Sequence, residues 1–237
     1  TVTMDINGRI ETCGEIDVRY VQKQKEIAER KLSELQTLYG DHIQTHLVLG
    51  KTTDSILKFS DEHHFDLIVM GTKGASGIYE TLSGSETQLI ARKSKTPVLS
   101  LMCDRSDLEI HNILLVYDFR AAVEEDLGLL HKFIKAFDSK IHLLQITSEN
   151  NRNVPRELEE NMKKFAELNH FSNYQCHLIN DKDVENGVIH FNQMQDMDII
   201  CIGTHGKGSF FHRSETEKLI NHLYKPIISF HLKNPNN

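Results

Sequence analysis

Apolar residues recur along this chain in two rhythms, and the two alternate. Residues 66–70 (DLIVM) form a short apolar run of the kind buried on both faces of a sheet, and 97–101, 113–117, 141–146, 174–179, 198–202 and 226–232 read the same way. Helical stripes lie between them. Val21, Ala28, Leu32, Leu35 and Tyr39 share one face of a helix that stops at Gly40, a predicted C-cap. Further helices are predicted over Thr52–His63, over 88–93 and over 184–195. Val123, Leu127, Leu130, Ile134 and Phe137 make another stripe, and Leu158, Met162, Phe165 and Leu168 follow Pro155, a residue at home in a first helical turn. Residues 42–49 read as a strand and 1–16 as a loop. Strands alternating with helices predict an α/β fold whose parallel sheet is covered on both faces.

The pattern also repeats. DLIVMGTKG at 66–74 returns as DIICIGTHG at 198–206, SETQLI at 85–90 as SETEKLI at 214–220, and PVLS at 97–100 as PIIS at 226–229. This predicts two copies of one domain, 1–104 and 105–237. The second copy reads as complete. The first begins at its second helix, with no strand 1, helix 1 or convincing strand 2 before Glu15. A piece upstream of Thr1 is expected to complete it, because a sheet without its central strand exposes apolar neighbours and unpaired backbone.

Candidate chemistry concentrates after the run 66–70. Gly71 and Gly74 stand at the strand exit, and Gly84-Ser85 follows after nine further residues, just ahead of the predicted helix. Glycines there let backbone N–H groups approach a bound group, and a helix start adds unpaired N–H groups and the positive end of its dipole. The arrangement is a plausible cradle for phosphate. It is neither a Walker loop nor a dinucleotide fingerprint. Ser85-Glu86-Thr87-Gln88 is equally a capping box, which needs no ligand.

The spacing Gly71-x2-Gly74-x9-Gly84-Ser85 resembles the nucleotide-binding signature of the universal stress protein family. The resemblance implies a phosphate-holding role for Gly71, Gly74, Gly84, Ser85 and Thr87, with Met70 and Glu86 completing the set of candidate contacts. Glu86 stands where ATP-binding members usually carry an apolar residue, and a carboxylate beside phosphates lowers affinity unless it points away. The resemblance further implies Rossmann-like open parallel sheets of strand order 3-2-1-4-5, and a pseudo-dimer in which the fifth strands, near Val98 and Ile228, pair across the two halves. A further homodimer is compatible with it. The implied ligand is ATP or another adenine nucleotide, with Mg2+ an optional companion.

In the second half, Asp118 matches the family's strand-1 aspartate, which contacts the adenine end of the nucleotide; helix capping is the rival reading of this residue. Asp118, Gly203, Gly206 and Ser214 make a possible second site. Its loop is three residues shorter between the second glycine and the serine, Arg213 replaces the glycine before the serine, and Phe210-Phe211 crowd it. One functional site is therefore expected in the first half, completed by residues upstream of Thr1, with the second half mainly structural.

Composition narrows the field further. The net charge of −7 argues against a general nucleic-acid binder. No run is long and apolar enough to cross a membrane, no signal peptide is recognised, and Cys13, Cys103, Cys176 and Cys201 show no metal-site spacing, so the expected compartment is the cytoplasm. No catalytic triad, carboxylate pair or metal motif stands out. The expected function is a stress-response sensor or regulator that binds nucleotide and is not an enzyme; the alternative is a protein-interaction scaffold without nucleotide.

Overall fold

The computed structural model describes residues 3–4, 10–11, 18–71, 84–101, 109–147, 155–205, 219, 223 and 225–232. The chain divides into two compact units, Thr1–Phe59 and Ser60–Asn237.

In the first unit, β1 (Thr3–Met4) and β2 (Ile10–Glu11) pair antiparallel, with Met4 opposite Ile10. The sequence reads as loop there, because two-residue strands are too short for any alternation to register. Helix α1 (Val18–Tyr39) ends where expected: Gly40 takes φ +60°, a left-handed turn that glycine adopts without strain. On its predicted stripe Val21, Ala28 and Leu32 are half-buried, whereas Leu35 and Tyr39 are exposed. Residues 43–49 form no strand: no ladder partner lies beside them among the described residues. The boundary between the units falls within α2 (Thr52–His63), which has its predicted limits.

The second unit holds β3 (Ile68–Gly71), α3 (Gly84–Lys93), β4 (Val98–Leu101), β5 (Asn112–Val116), α4 (Gly128–Phe137), β6 (Lys140–Thr147), α5 (Pro155–Leu168), β7 (Tyr174–Asn180), α6 (Val184–Met194), β8 (Ile199–His205) and β9 (Ile227–Leu232). Its strands form one seven-stranded sheet of order β3-β4-β9-β8-β5-β6-β7. The five strands from β5 to β9 are all parallel and run β7-β6-β5-β8-β9, which is the expected order 3-2-1-4-5. β3 and β4 are parallel to each other. The two groups meet antiparallel at β4 and β9, with Leu99 opposite Ile228, so the strands around Val98 and Ile228 do pair.

Burial explains the unbroken apolar runs. Ile113, Leu115, Leu143 and Cys201 pack on one side of the sheet with Phe119, Leu130, Met162 and Phe165, all almost fully buried. Burial also pushes the Cys201 thiol well above its usual range, so it behaves as a small core side chain. Gly187 brings α6 close to β6: a Cβ there would lie 2.8 Å from two carbons of Ile146. Asp198 ties the starts of two central strands together, its Oδ2 accepting from the backbone N–H of His111 at 2.9 Å and of Asn112 at 2.8 Å. Among the described residues, no helix is long and apolar enough to cross a membrane.

Candidate functional site

Met70 and Gly71 close β3, the first buried and the second exposed at the strand exit. Helix α3 starts at Gly84, so Ser85 is its second residue. Glu86 is the third helical residue. It is half-buried in the first turn, where the positive end of the helix dipole favours a carboxylate and where a bound phosphate would compete for the same field. Thr87 is fully buried, and its hydroxyl donates to the Gly71 carbonyl over a long 3.4 Å. That contact brings the β3 exit and the first turn of α3 to one place. Gly74 and the Ser85 side chain lie outside the described residues.

The second crevice is framed by β5 and β8. Strand order reverses between them, and in open α/β sheets ligands bind beyond the carboxyl ends of strands at such a switch point. Val116 pairs with Ile202, the last pair of that ladder, and Asp118 follows two residues past the end of this pairing, while Gly203 is in register with Phe230 of β9. Gly206 and Ser214 lie outside the described residues. Because β4 and β9 run antiparallel, the exit of β3 and the exits of β5 and β8 open on opposite rims of the sheet.

Asp118 caps no helix. The stripe from Val123 predicts a helix through Leu127, but α4 starts only at Gly128, with Leu127 at its N-cap and no side-chain cap bond. The intervening loop is held open by tertiary bonds that no periodicity encodes. Tyr117 Oη donates to Glu125 Oε1 at 2.7 Å, and burial together with this neighbouring carboxylate pushes the phenol above its usual range. Buried Asn169 accepts from the Glu125 N–H at 2.9 Å and donates to the Val123 and Phe165 carbonyls, each at 2.9 Å. Phe119 is fully buried against Tyr117 and Phe165, and its N–H donates to Gln145 Oε1 at 2.7 Å.

Asp118 is bound instead by Arg120. The guanidinium Nε donates to Oδ1 at 3.0 Å and Oδ2 at 2.9 Å, Nη2 reaches Oδ2 at 2.5 Å, and the Arg120 N–H adds a contact of 3.2 Å to Oδ1. The cation two residues after the aspartate was the available signal for this pair.

A cleft of about 590 Å³ lies elsewhere in this unit, with Phe65, Thr96, Pro97, Leu129 and Phe230 among its walls. Its lysines face acids already, Lys132 at 3.2 Å from Asp66 and Lys95 at 3.9 Å from Asp61. No group of three or more His, Cys, Asp or Glu among the described residues is placed to hold a metal ion.

Comparison with known proteins extends this picture. The model of the Universal stress protein family matches residues 14–101. Two universal stress proteins of Methanocaldococcus jannaschii are similar to the chain. One is 32% identical over 72 residues, covering 30% of this chain and 42% of the relative. The other is 29% identical over 85 residues, covering 36% and 52%. The chain thus spans about half the length of these relatives. A universal stress protein crystal structure from Archaeoglobus fulgidus superposes with a TM-score of 0.66 at 20% identity, over 95% of this chain and 84% of that one, a likeness of fold.

Proposed function

We propose that this protein binds ATP or a related adenine nucleotide and acts as a cytoplasmic stress-response sensor or regulator, without turning the nucleotide over, a reading supported by the match of the Universal stress protein family model to residues 14–101. The observation that carries the reading is the Thr87–Gly71 contact, which holds the glycine exit of β3 and the N-terminal turn of α3 together. Phosphate oxygens placed there meet backbone N–H groups and a favourable dipole. Gly71, Gly74, Gly84 and Ser85 supply that cradle, Met70 and Thr87 fix its floor, and Mg2+ accompanies the phosphates where present. The site works as one half of a tandem pseudo-dimer of domains 1–104 and 105–237.

Two observations favour a scaffold that binds a protein partner without nucleotide. Glu86 already occupies the favourable field at the helix start, and the Thr87 hydroxyl already has an acceptor. Mass spectrometry of small molecules released on denaturing the purified protein separates the two. About one adenine nucleotide per chain, lost in Gly84→Glu, is expected, since a carboxylate at the first residue of α3 repels phosphate. Absence of released nucleotide, together with no calorimetric heat on adding ATP, would give the scaffold reading the lead.

A further inference from the structure

We infer that Arg120 is a specificity-determining latch: its fork on Asp118 closes the crevice between β5 and β8 to nucleosides, so that one adenine nucleotide per chain is the expected load. The inference rests on the adenine-nucleotide reading above.

Asp118 follows the end of β5 at the switch point of the sheet, where a carboxylate can accept hydrogen bonds from a ligand. Its side chain is only 13% exposed, so little water reaches it. An ionised carboxylate offers about four acceptor positions. Arg120 fills them with guanidinium contacts to both oxygens and a backbone N–H contact to Oδ1. A nucleoside brings N–H and O–H donors, and these have no acceptor while the fork is closed.

The latch is held from behind. The Arg120 carbonyl accepts from Asn161 Nδ2 of α5 at 3.0 Å, and the preceding residue, Phe119, is buried with its N–H bound to Gln145. The Tyr117–Glu125 bond and Asn169 fix the rest of the loop. The backbone therefore holds Arg120 in place, and opening requires its exposed side chain to swing out against a charge-assisted, two-pronged bond.

The test is calorimetric titration of the whole chain with adenosine, and separately with ATP, for wild type, Arg120→Ala, Arg120→Lys and the double variant Asp118→Asn/Arg120→Ala. Arg120→Ala is expected to bind one more equivalent of adenosine than wild type, with affinity raised by about tenfold or more at the freed carboxylate, as loss of a charge-assisted bond implies. Arg120→Lys keeps the charge without the fork and is expected to fall between, and it serves as the second variant should Arg120→Ala fold poorly. The double variant is expected to return to the wild-type stoichiometry. If both folded Arg120 variants take up no more adenosine than wild type, or if the gain survives loss of the Asp118 carboxylate, the latch is overturned. Failure of wild type to bind ATP is a different result: it strikes the nucleotide reading of the β3–α3 loop, while the adenosine comparison still decides the latch.

Discussion

Lowering the pH should weaken the sheet through one histidine pair. His142 on β6 is buried, and its Nε2 lies 3.1 Å from Asn112 Oδ1 while its Nδ1 lies 2.9 Å from His177 Nε2 on β7. A carboxamide oxygen only accepts, so Nε2 carries the hydrogen, Nδ1 accepts from His177, and the chain is complete with both rings neutral. A proton on Nδ1 would face the His177 N–H. Burial first, then His177 and Lys140, hold His142 down to about 4 from its ordinary 6.5, and His177 is lowered as well. The unfolded chain therefore binds protons below about pH 6.5 while the folded chain resists until near pH 4, so acid favours unfolding throughout that window. For His142 alone, the linkage integral is about 1.4 kcal/mol at pH 5.5 and under about 0.1 kcal/mol at pH 7.5. Urea unfolding at the two pH values and constant ionic strength, for wild type and His142→Gln, isolates the contribution from every other titrating group. The variant is expected to lose about 1 kcal/mol less than wild type between pH 7.5 and 5.5. An equal loss in both proteins, or a wild type that gains on the variant in acid, would refute the reasoning.

Two stability predictions rest on packing and on buried bonds. Gly187→Ala puts a methyl within 2.8 Å of Ile146 carbons, and the overpacking outweighs the gain in helix propensity to leave a net loss of about 0.5–2 kcal/mol; in an Ile146→Ala background the same change should become neutral or stabilising, as a double-mutant cycle of urea midpoints reads out. Asn169→Ala removes three bonds at once and should cost about 2–4 kcal/mol, with faster hydrogen exchange at the Glu125 amide; unchanged exchange there would mean the loop does not depend on Asn169.

Elements with a sustained rhythm were legible in the sequence. The limits of α2 are met, and the strands around Ile68, Leu99, Ile113, Leu143, Cys176, Cys201 and Ile228 fall within two or three residues of their predicted bounds, because each is a buried run and burial follows composition. Errors arose wherever a distant partner decides. The apolar stripe through Val123 and Leu127 continues that of α4, yet Asn169 and Tyr117 hold the loop out of helix. Residues 43–49 have a strand's composition without a neighbouring ladder, and the β1–β2 pairing depends on a register no short segment announces. In the candidate site, the proximity of Gly71 to the start of α3 was legible from glycine spacing, whereas the Asp118–Arg120 fork depends on how a loop turns back over two residues.

The seam between β4 and β9 has a symmetry of its own. The repeat equates Val98, Leu99 and Ser100 with Ile227, Ile228 and Ser229, and the register sets Val98 against Ser229, Leu99 against Ile228 and Ser100 against Ile227. Exchanging the two copies reproduces the same pairing, so a local half-turn passes between Leu99 and Ile228. That self-matching geometry is the one two identical chains adopt when they meet about a twofold axis. Here the mates share one polypeptide, so their encounter is governed by the tether and not by concentration, and dilution does not part them. Neither strand has to match a replica of itself. Ser229 Oγ reaches the Val98 carbonyl at 3.5 Å, while its counterpart Ser100 Oγ is buried without a hydrogen-bond partner among the described residues, so the two sides of the seam differ in chemistry while sharing one register.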